Sequence, residues 1–348
     1  MNCKELNFIN NKKELSTKNY NYCIVDTNSL TVVPFLNSDQ YQSTDRINIT
    51  PFVKTIKFYV DMKCVLPNTK FIFVFDGGIS SVIKKIFNKY KSNRSSRKTM
   101  SSFDGNKNKI YDYNVYLLEK ILNYFNEIVI PGNFICNEAD FICGYLIKNI
   151  LNINNNNKIL AISHDKDFLM TFKENVHVIY KYTAPSIVKN YYVDNFDCIT
   201  EIIDFPYIKN IEEYILYKAL IGDTSDNIDK PFGFKTIIPI KNLFTDSYLE
   251  NKNLTYDSVS EYFKIYFNND NIYNKFLIDF RRNLFLMNIF NDEIIADTDK
   301  IKLNNKLDDI LYPERKEIEI NSIYETILEY GLYFNEEEID DIFKYLKT

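Results

Sequence analysis

The stretch KILAISHDKD, residues 158–167, is a short apolar run that closes on two carboxylates one residue apart. Two other stretches share this form: YNYCIVD at 20–26 ends in Asp26, and FIFVFD at 71–76 ends in Asp76. Aromatic and β-branched runs bounded by polar turns read as buried strands of a parallel sheet. Helical patterns lie between them, over 49–65 and 110–125, and VHVIYKY at 176–182 supplies a further strand. This alternation predicts an α/β fold with right-handed crossovers. Beyond about residue 205 strand signals fade, and helices are expected over 211–221, 243–267, 272–290 and 323–330.

In an open parallel sheet the carboxyl ends of the strands face the ligand crevice. Asp26, Asp76, Asp165 and Asp167 are therefore candidates for one site. In a regular strand Asp165 and Asp167 would face opposite sides, but at a strand exit both can turn towards one point. Asn137 is expected to cap a helix over 138–151, with Glu138 and Asp140 in its first turn, where the helix dipole favours carboxylates in any case. Asp223 and Asp226, in IGDTSDNI, follow a helix expected to end at Gly222. Crowded carboxylates raise one another's pKa unless cations neutralise them. With only two His, and six Cys that form no C-x-x-C, an all-oxygen ligand set points to Mg²⁺ or Mn²⁺ and away from zinc. Two such ions roughly 3.5–4 Å apart can activate a water and stabilise a leaving oxygen.

The chain has 348 residues, 45% hydrophobic and 26% charged, enough to bury a large core and too apolar for a disordered chain. No apolar run reaches the roughly 18–20 residues of a membrane helix. The first twenty residues lack the apolar core of a secretory signal. A reduced, soluble, intracellular protein is expected. Its charge is uneven: from Lys84 to Lys109 nine basic residues meet one acid, Asp104, so this segment is +8 in a chain of net charge −5. Such a segment is either a solvated helix face or a phosphate-binding element for a polyanion.

The order of motifs resembles the 5′-nuclease superfamily, which includes flap endonucleases, phage 5′–3′ exonucleases and the 5′-nuclease domain of bacterial DNA polymerase I. The matching pieces are VDTNS (25–29), VFDG (74–77), KYKSNR (89–94), NEAD (137–140), SHDKD (163–167) and ALIGDTSDNI (219–228), spread over roughly residues 20–290. The resemblance implies a PIN-like α/β nuclease domain over 1–204 with a helical arch at about 80–115. A helix–three-turn–helix DNA-binding region over 205–304 and a helical tail over 305–348 follow. It assigns Asp26, Asp76, Glu138 and Asp140 to one Mg²⁺ ion and Asp165, Asp167, Asp223 and Asp226 to a second, with Mn²⁺ able to substitute. It gives Lys91 and Arg94 the scissile phosphate as catalytic residues. Tyr90 either stacks on a base or packs in the core. Lys84 and Lys85 fall in the DNA-contacting arch, and Gly233, Lys235 and Thr236 match positions that grip duplex backbone. The implied activity is hydrolysis near 5′ ends, on flaps, free DNA ends or RNA primers on DNA in replication and repair. The implied protein is a monomer that can act beside replication proteins.

Four positions depart from the family pattern. Phe141 stands where the family often has a further acid, and PFGFK (231–235) replaces G-x-G-x-K, which puts a monovalent-cation site there in question. Pro239 is expected to kink the following helix, and His164 reads as a surface residue. A haloacid-dehalogenase phosphatase needs D-x-D at its first strand, and Asp26-Thr27-Asn28 lacks the second acid. A PIN-type ribonuclease and a non-catalytic DNA-binding scaffold are the other readings. In the tail, Ile339, Ile342, Phe343 and Leu346 repeat at helical spacing and are expected to dock on the protein's own surface.

Overall fold

Successive residues of the first strand are buried on opposite sides: Cys23 and Val25 in one apolar core, Ile24 in another. A strand covered on both faces is the mark of a sheet sandwiched between helical layers. The computed structural model describes residues 15–32, 41–43, 46–92, 104–184 and 187–312, with residue 325. The first half of the chain runs β1 (Tyr22–Asp26), α1 (Thr50–Val65), β2 (Lys70–Val74), α2 (Ser81–Ile86), α3 (Asp104–Tyr124), β3 (Ile128–Ile130) and α4 (Ala139–Ile153). Then come β4 (Ile159–Ser163), a 3₁₀ turn (Lys166–Thr171), β5 (Val176–Ala184), β6 (Ile187–Val193) and α5 (Phe196–Ile203). The helices α6 (Ile211–Ile221), α7 (Ile238–Leu249), α8 (Tyr256–Phe267), α9 (Asp270–Met287) and α10 (Asp297–Leu311) complete it.

The six strands lie in the order β3-β2-β1-β4-β5-β6, parallel except for the β5–β6 pair at the edge. From β1 the chain winds outward through β2 and β3, then returns to add β4 on the other side of β1. The order reverses between β1 and β4, which makes their carboxyl ends the topological switch point where ligand crevices form. One face of the sheet is covered by α1 and α3, through Phe52, Ile56, Tyr59, Leu118 and Ile121. The other is covered by α4, through Ile142, Leu146 and Ile150, and that core continues without a break into Tyr214, Phe244, Phe263 and Phe276 of the C-terminal helices.

The structure extends the sequence reading in several places. β3, only three residues, and the antiparallel edge strand β6 carry too little periodicity to be read. The single helix expected over 243–267 is two: α7 ends at Leu249, and α8 starts anew behind a capping box between Thr255 and Ser258. Pro239 kinks nothing, because it lies in the first turn of α7, where its missing N–H has no partner to lose. Of the expected helix over 323–330 only residue 325 is among the described residues, and the amphipathic positions 339–346 lie outside them. Among the described residues, no helix is long and apolar enough to cross a membrane.

Candidate metal centre

Each acid is delivered by a different local device. Asp26 is the last residue of β1, followed at once by a π-helical turn, Asn28–Val32, of the kind often found at functional sites. Its Oδ1 accepts the Ser29 N–H at 3.2 Å, and its Oδ2 accepts the Ser163 hydroxyl at 2.7 Å. Asp76 follows β2, and the backbone next to it admits no side chain: a Cβ on Gly77 would stand 1.6 Å from the Ile135 carbonyl oxygen. Glu138 is the N-cap of α4 and Asp140 lies in its first turn. The expected cap, Asn137, instead accepts the Glu138 N–H, and Asp76 Oδ1 accepts the N–H of Ala139 at 2.8 Å. A carboxylate from β2 thus caps the helix that carries two more.

After β4, Asp165 caps the 3₁₀ turn by accepting the Asp167 N–H at 2.9 Å, which turns both acids to the same end of the sheet. Gly222 ends α6 with φ +73°, and a Cβ there would stand 2.6 Å from Ile228 O. The loop it opens is a tight hairpin in which Asp223 and Ile228 exchange both backbone hydrogen bonds at 2.8 Å. Asn283 of α9 holds this loop from behind, its amide donating to the Ala219 and Asp229 carbonyls at 3.0 and 2.8 Å.

The eight acids form one connected field of repulsion. Asp26 faces Asp76, Asp140 faces Glu138, Asp165 and Asp76, Asp165 faces Asp26 and Asp226, and Asp167 faces Asp165 and Asp223. Burial and then Asp76 push the Asp26 carboxyl up to about 6, against hydrogen bonds from Ser29 and Ser163 that hold it down. Asp167 is likewise raised to about 6 by burial, although Lys218 opposes the shift. Asp140 is raised by burial and by Glu138, and Glu138 by burial with Lys91 opposing. Asp165 keeps an accessible face, yet crowding desolvates it enough to raise it too. Asp223 goes the other way: burial pushes it up, but Lys218 and Ser225 bring it below the usual value.

Two ammonium groups counter this charge. Lys91, whose φ is +52°, pairs with Glu138 and lies 3.5 Å from Asp226. Lys218 of α6 pairs with Asp167 at 2.8 Å and Asp223 at 3.1 Å. Burial alone would lower both lysines, but the surrounding carboxylates raise them. With these side chains in place, no three His, Cys, Asp or Glu among the described residues are arranged to hold a metal ion. The donor set nonetheless fits hard divalent cations: it is all oxygen, it comes from five separate segments, and two monovalent ammoniums leave most of its charge uncompensated.

Tyr90 is buried, 6% exposed, with its hydroxyl 2.7 Å from Glu138 Oε2 and 3.1 Å from Asp226 Oδ2. Packing, not an open face for base stacking, describes it: one phenolic proton is shared between two acids. Lys84 and Lys85 are exposed in the last turn of α2, where the helix dipole favours cations. Gly233 (φ +99°), Lys235 and Thr236 are exposed on the loop between α6 and α7. Arg94 lies outside the described residues. Sequence reasoning missed Lys218, although a lone Lys inside the apolar run YILYKALI (214–221) was a signal, and it missed Asn28, Tyr111 and Asn283.

No protein-family model matches the chain. Over 186 residues it is 32% identical to the 5′-3′ exonuclease of Buchnera aphidicola subsp. Acyrthosiphon pisum, covering 51% of this chain and 54% of that protein. The 5′-3′ exonuclease of Buchnera aphidicola subsp. Schizaphis graminum is 30% identical over 180 residues, with the same coverage. The chain thus spans about half the length of the curated relatives it matches. Among solved structures, T5 5′-exonuclease with divalent metal ions (zinc) bound superposes with a TM-score of 0.59 at 19% identity, over 83% of this chain and 98% of that one. Human GEN1 in complex with Holliday junction DNA gives a TM-score of 0.54 at 11% identity, over 95% and 73%. The sequence relatives carry the name 5′-3′ exonuclease, in line with the resemblance read from the motifs, and the structural relatives share the fold.

Proposed function

We propose that this chain is a divalent-metal-dependent phosphodiesterase that removes nucleotides from 5′ ends and cuts at 5′ flaps, on DNA or on RNA primers annealed to DNA. The observation that carries this reading is the field of eight mutually repelling carboxylates, from the carboxyl ends of β1, β2 and β4, the start of α4 and the loop after α6, in a chain whose segment 84–109 is strongly basic in sequence. Asp26, Asp76, Glu138 and Asp140 would hold one Mg²⁺ and Asp165, Asp167, Asp223 and Asp226 a second, with Mn²⁺ able to substitute. Bound there, such ions would lower the pKa of an attacking water and stabilise charge on the phosphate.

The chain's own groups do the rest. Lys91, which pairs with Glu138 and lies 3.5 Å from Asp226, would offset the growing negative charge of the scissile phosphate, a role that Arg94 would share. Tyr90 keeps Glu138 and Asp226 in place. Lys218 remains on Asp167 and Asp223 and holds the 223–228 loop against the 3₁₀ turn. Gly233, Lys235 and Thr236 grip duplex phosphates without reading bases. No side chain need serve as general base.

The test is cleavage of a 5′-labelled flap oligonucleotide with Mg²⁺ and with EDTA, for the native chain and for Asp165→Asn. Mg²⁺-dependent products lost in the variant support the reading. Cleavage that survives EDTA, or that Asp165→Asn leaves undiminished, overturns it.

A further inference from the structure

Asp76, like Asp26, has both carboxylate oxygens held by neutral donors. Oδ1 accepts the Ala139 N–H at 2.8 Å, and Oδ2 accepts the side-chain amide of Asn28 at 3.0 Å. The other end of the Asn28 amide, Oδ1, accepts the hydroxyl of Tyr111 at 3.1 Å. This order of donors has one sense only. Turned over, Asn28 would aim its carbonyl oxygen at a carboxylate, two acceptors face to face. The Tyr111 hydroxyl, by occupying the amide oxygen, fixes which way Asn28 points.

Tyr111 is itself firmly placed. Its ring packs against the core under α1 and α3. Three residues on, the fully buried Asn114 ties α3 to the start of α1, accepting the Phe52 N–H at 2.9 Å and donating to the Asn48 carbonyl at 2.8 Å. The relay therefore joins α3, the helix in which the basic segment ends, to one carboxylate of the cluster, across 83 and then 48 residues of sequence. Neither Asn28 nor Tyr111 is charged, and neither is a ligand in the reading above.

We propose that Tyr111 and Asn28 are positioning residues that orient the Asp76 carboxylate for cation binding, so that metal affinity depends on how α3 is seated. The inference rests on the metal-dependent reading of the cluster. Partners of this kind behind a metal ligand typically change affinity about 10- to 100-fold when removed.

The experiment follows the melting temperature of the full chain through a Mn²⁺ titration, with flap cleavage measured alongside, for Tyr111→Phe, Asn28→Ala and the double variant. Tyr111→Phe is expected to raise the Mn²⁺ concentration of half-maximal stabilisation about tenfold. The cleavage rate at saturating metal should stay near the native value. The double variant should shift the midpoint no further than Asn28→Ala alone, because the two act in series. A midpoint unmoved in both single variants, with only the metal-free melting temperature lowered, assigns them a purely structural role and overturns the proposal; so do additive shifts. If Tyr111→Phe does not fold, Asn28→Ala alone decides by the same midpoint. A native chain that Mn²⁺ neither stabilises nor activates overturns the metal-dependent reading together with this one, whereas a native response shared unchanged by the variants overturns this one only.

Discussion

The carboxylate of Asp76 and the backbone N–H of Ala139 lie 2.8 Å apart, so an acid at the end of β2 completes the first turn of α4. One side chain thereby serves the helix as a cap and the cluster as a charge. The two roles separate by substitution. Asp76→Asn keeps a carbonyl oxygen for the Ala139 N–H but loses the charge; Asp76→Ala loses both. Urea melts should show the Ala variant less stable than the Asn variant by about 1 kcal/mol, the usual worth of a cap. Both should lose Mg²⁺-dependent flap cleavage. Equal stabilities would mean the contact caps nothing.

Metal and protons should compete in a defined direction. Asp26 and Asp167 keep their protons up to about pH 6 in the folded chain, whereas an unfolded aspartate releases its proton near 3.8. Between these values the folded chain binds more protons than the unfolded one, so without metal its stability falls as pH rises through that window. Divalent cations relieve the same repulsion without protons. The rise in melting temperature that Mg²⁺ produces should therefore be larger at about pH 7.5 than at about pH 5. A rise independent of pH would separate the metal from these carboxylates.

Away from the cluster, Glu127 is 3% exposed and accepts three donors: the Tyr59 hydroxyl at 3.0 Å, Lys63 Nζ at 2.7 Å and the Phe71 N–H at 2.7 Å. It ties α1 to the beginning of β2. Glu127→Ala leaves Lys63 with the Thr69 carbonyl but no counter-charge and strands the Tyr59 hydroxyl and the Phe71 N–H, and should cost about 3 kcal/mol in urea unfolding. Glu127→Gln keeps an acceptor and should cost less. Similar losses for the two variants would show that the charge, and not the hydrogen bonding, matters.

Lys235 gives a test of the duplex-gripping loop. If it contacts one phosphate, Lys235→Ala should weaken flap-DNA binding alike for unrelated duplex sequences. It should also reduce the slope of log affinity against log salt by about 1, measured by fluorescence anisotropy. An unchanged slope would remove Lys235 from the interface.

The strand-ending acids, the α/β class and the helix ending at Gly222 were legible because each is a local matter: hydrophobic period, a turn residue, a carboxylate at a strand exit. The eight acids were proposed from short motifs at strand and helix ends, with their grouping as a ligand set implied by the family resemblance. What only the tertiary structure decided is how those ends serve one another. Nothing near Asp76 in sequence says that it caps α4, nothing near Tyr111 says that it orients Asn28, and Tyr90 could be placed inside only when Glu138 and Asp226 were seen above its hydroxyl. Lys218 sat in an apolar helix with no partner in view until the 3₁₀ turn brought Asp167 within 2.8 Å. Such contacts join residues tens of positions apart, and their energy depends on distance and desolvation, quantities that exist only once the chain has closed on itself.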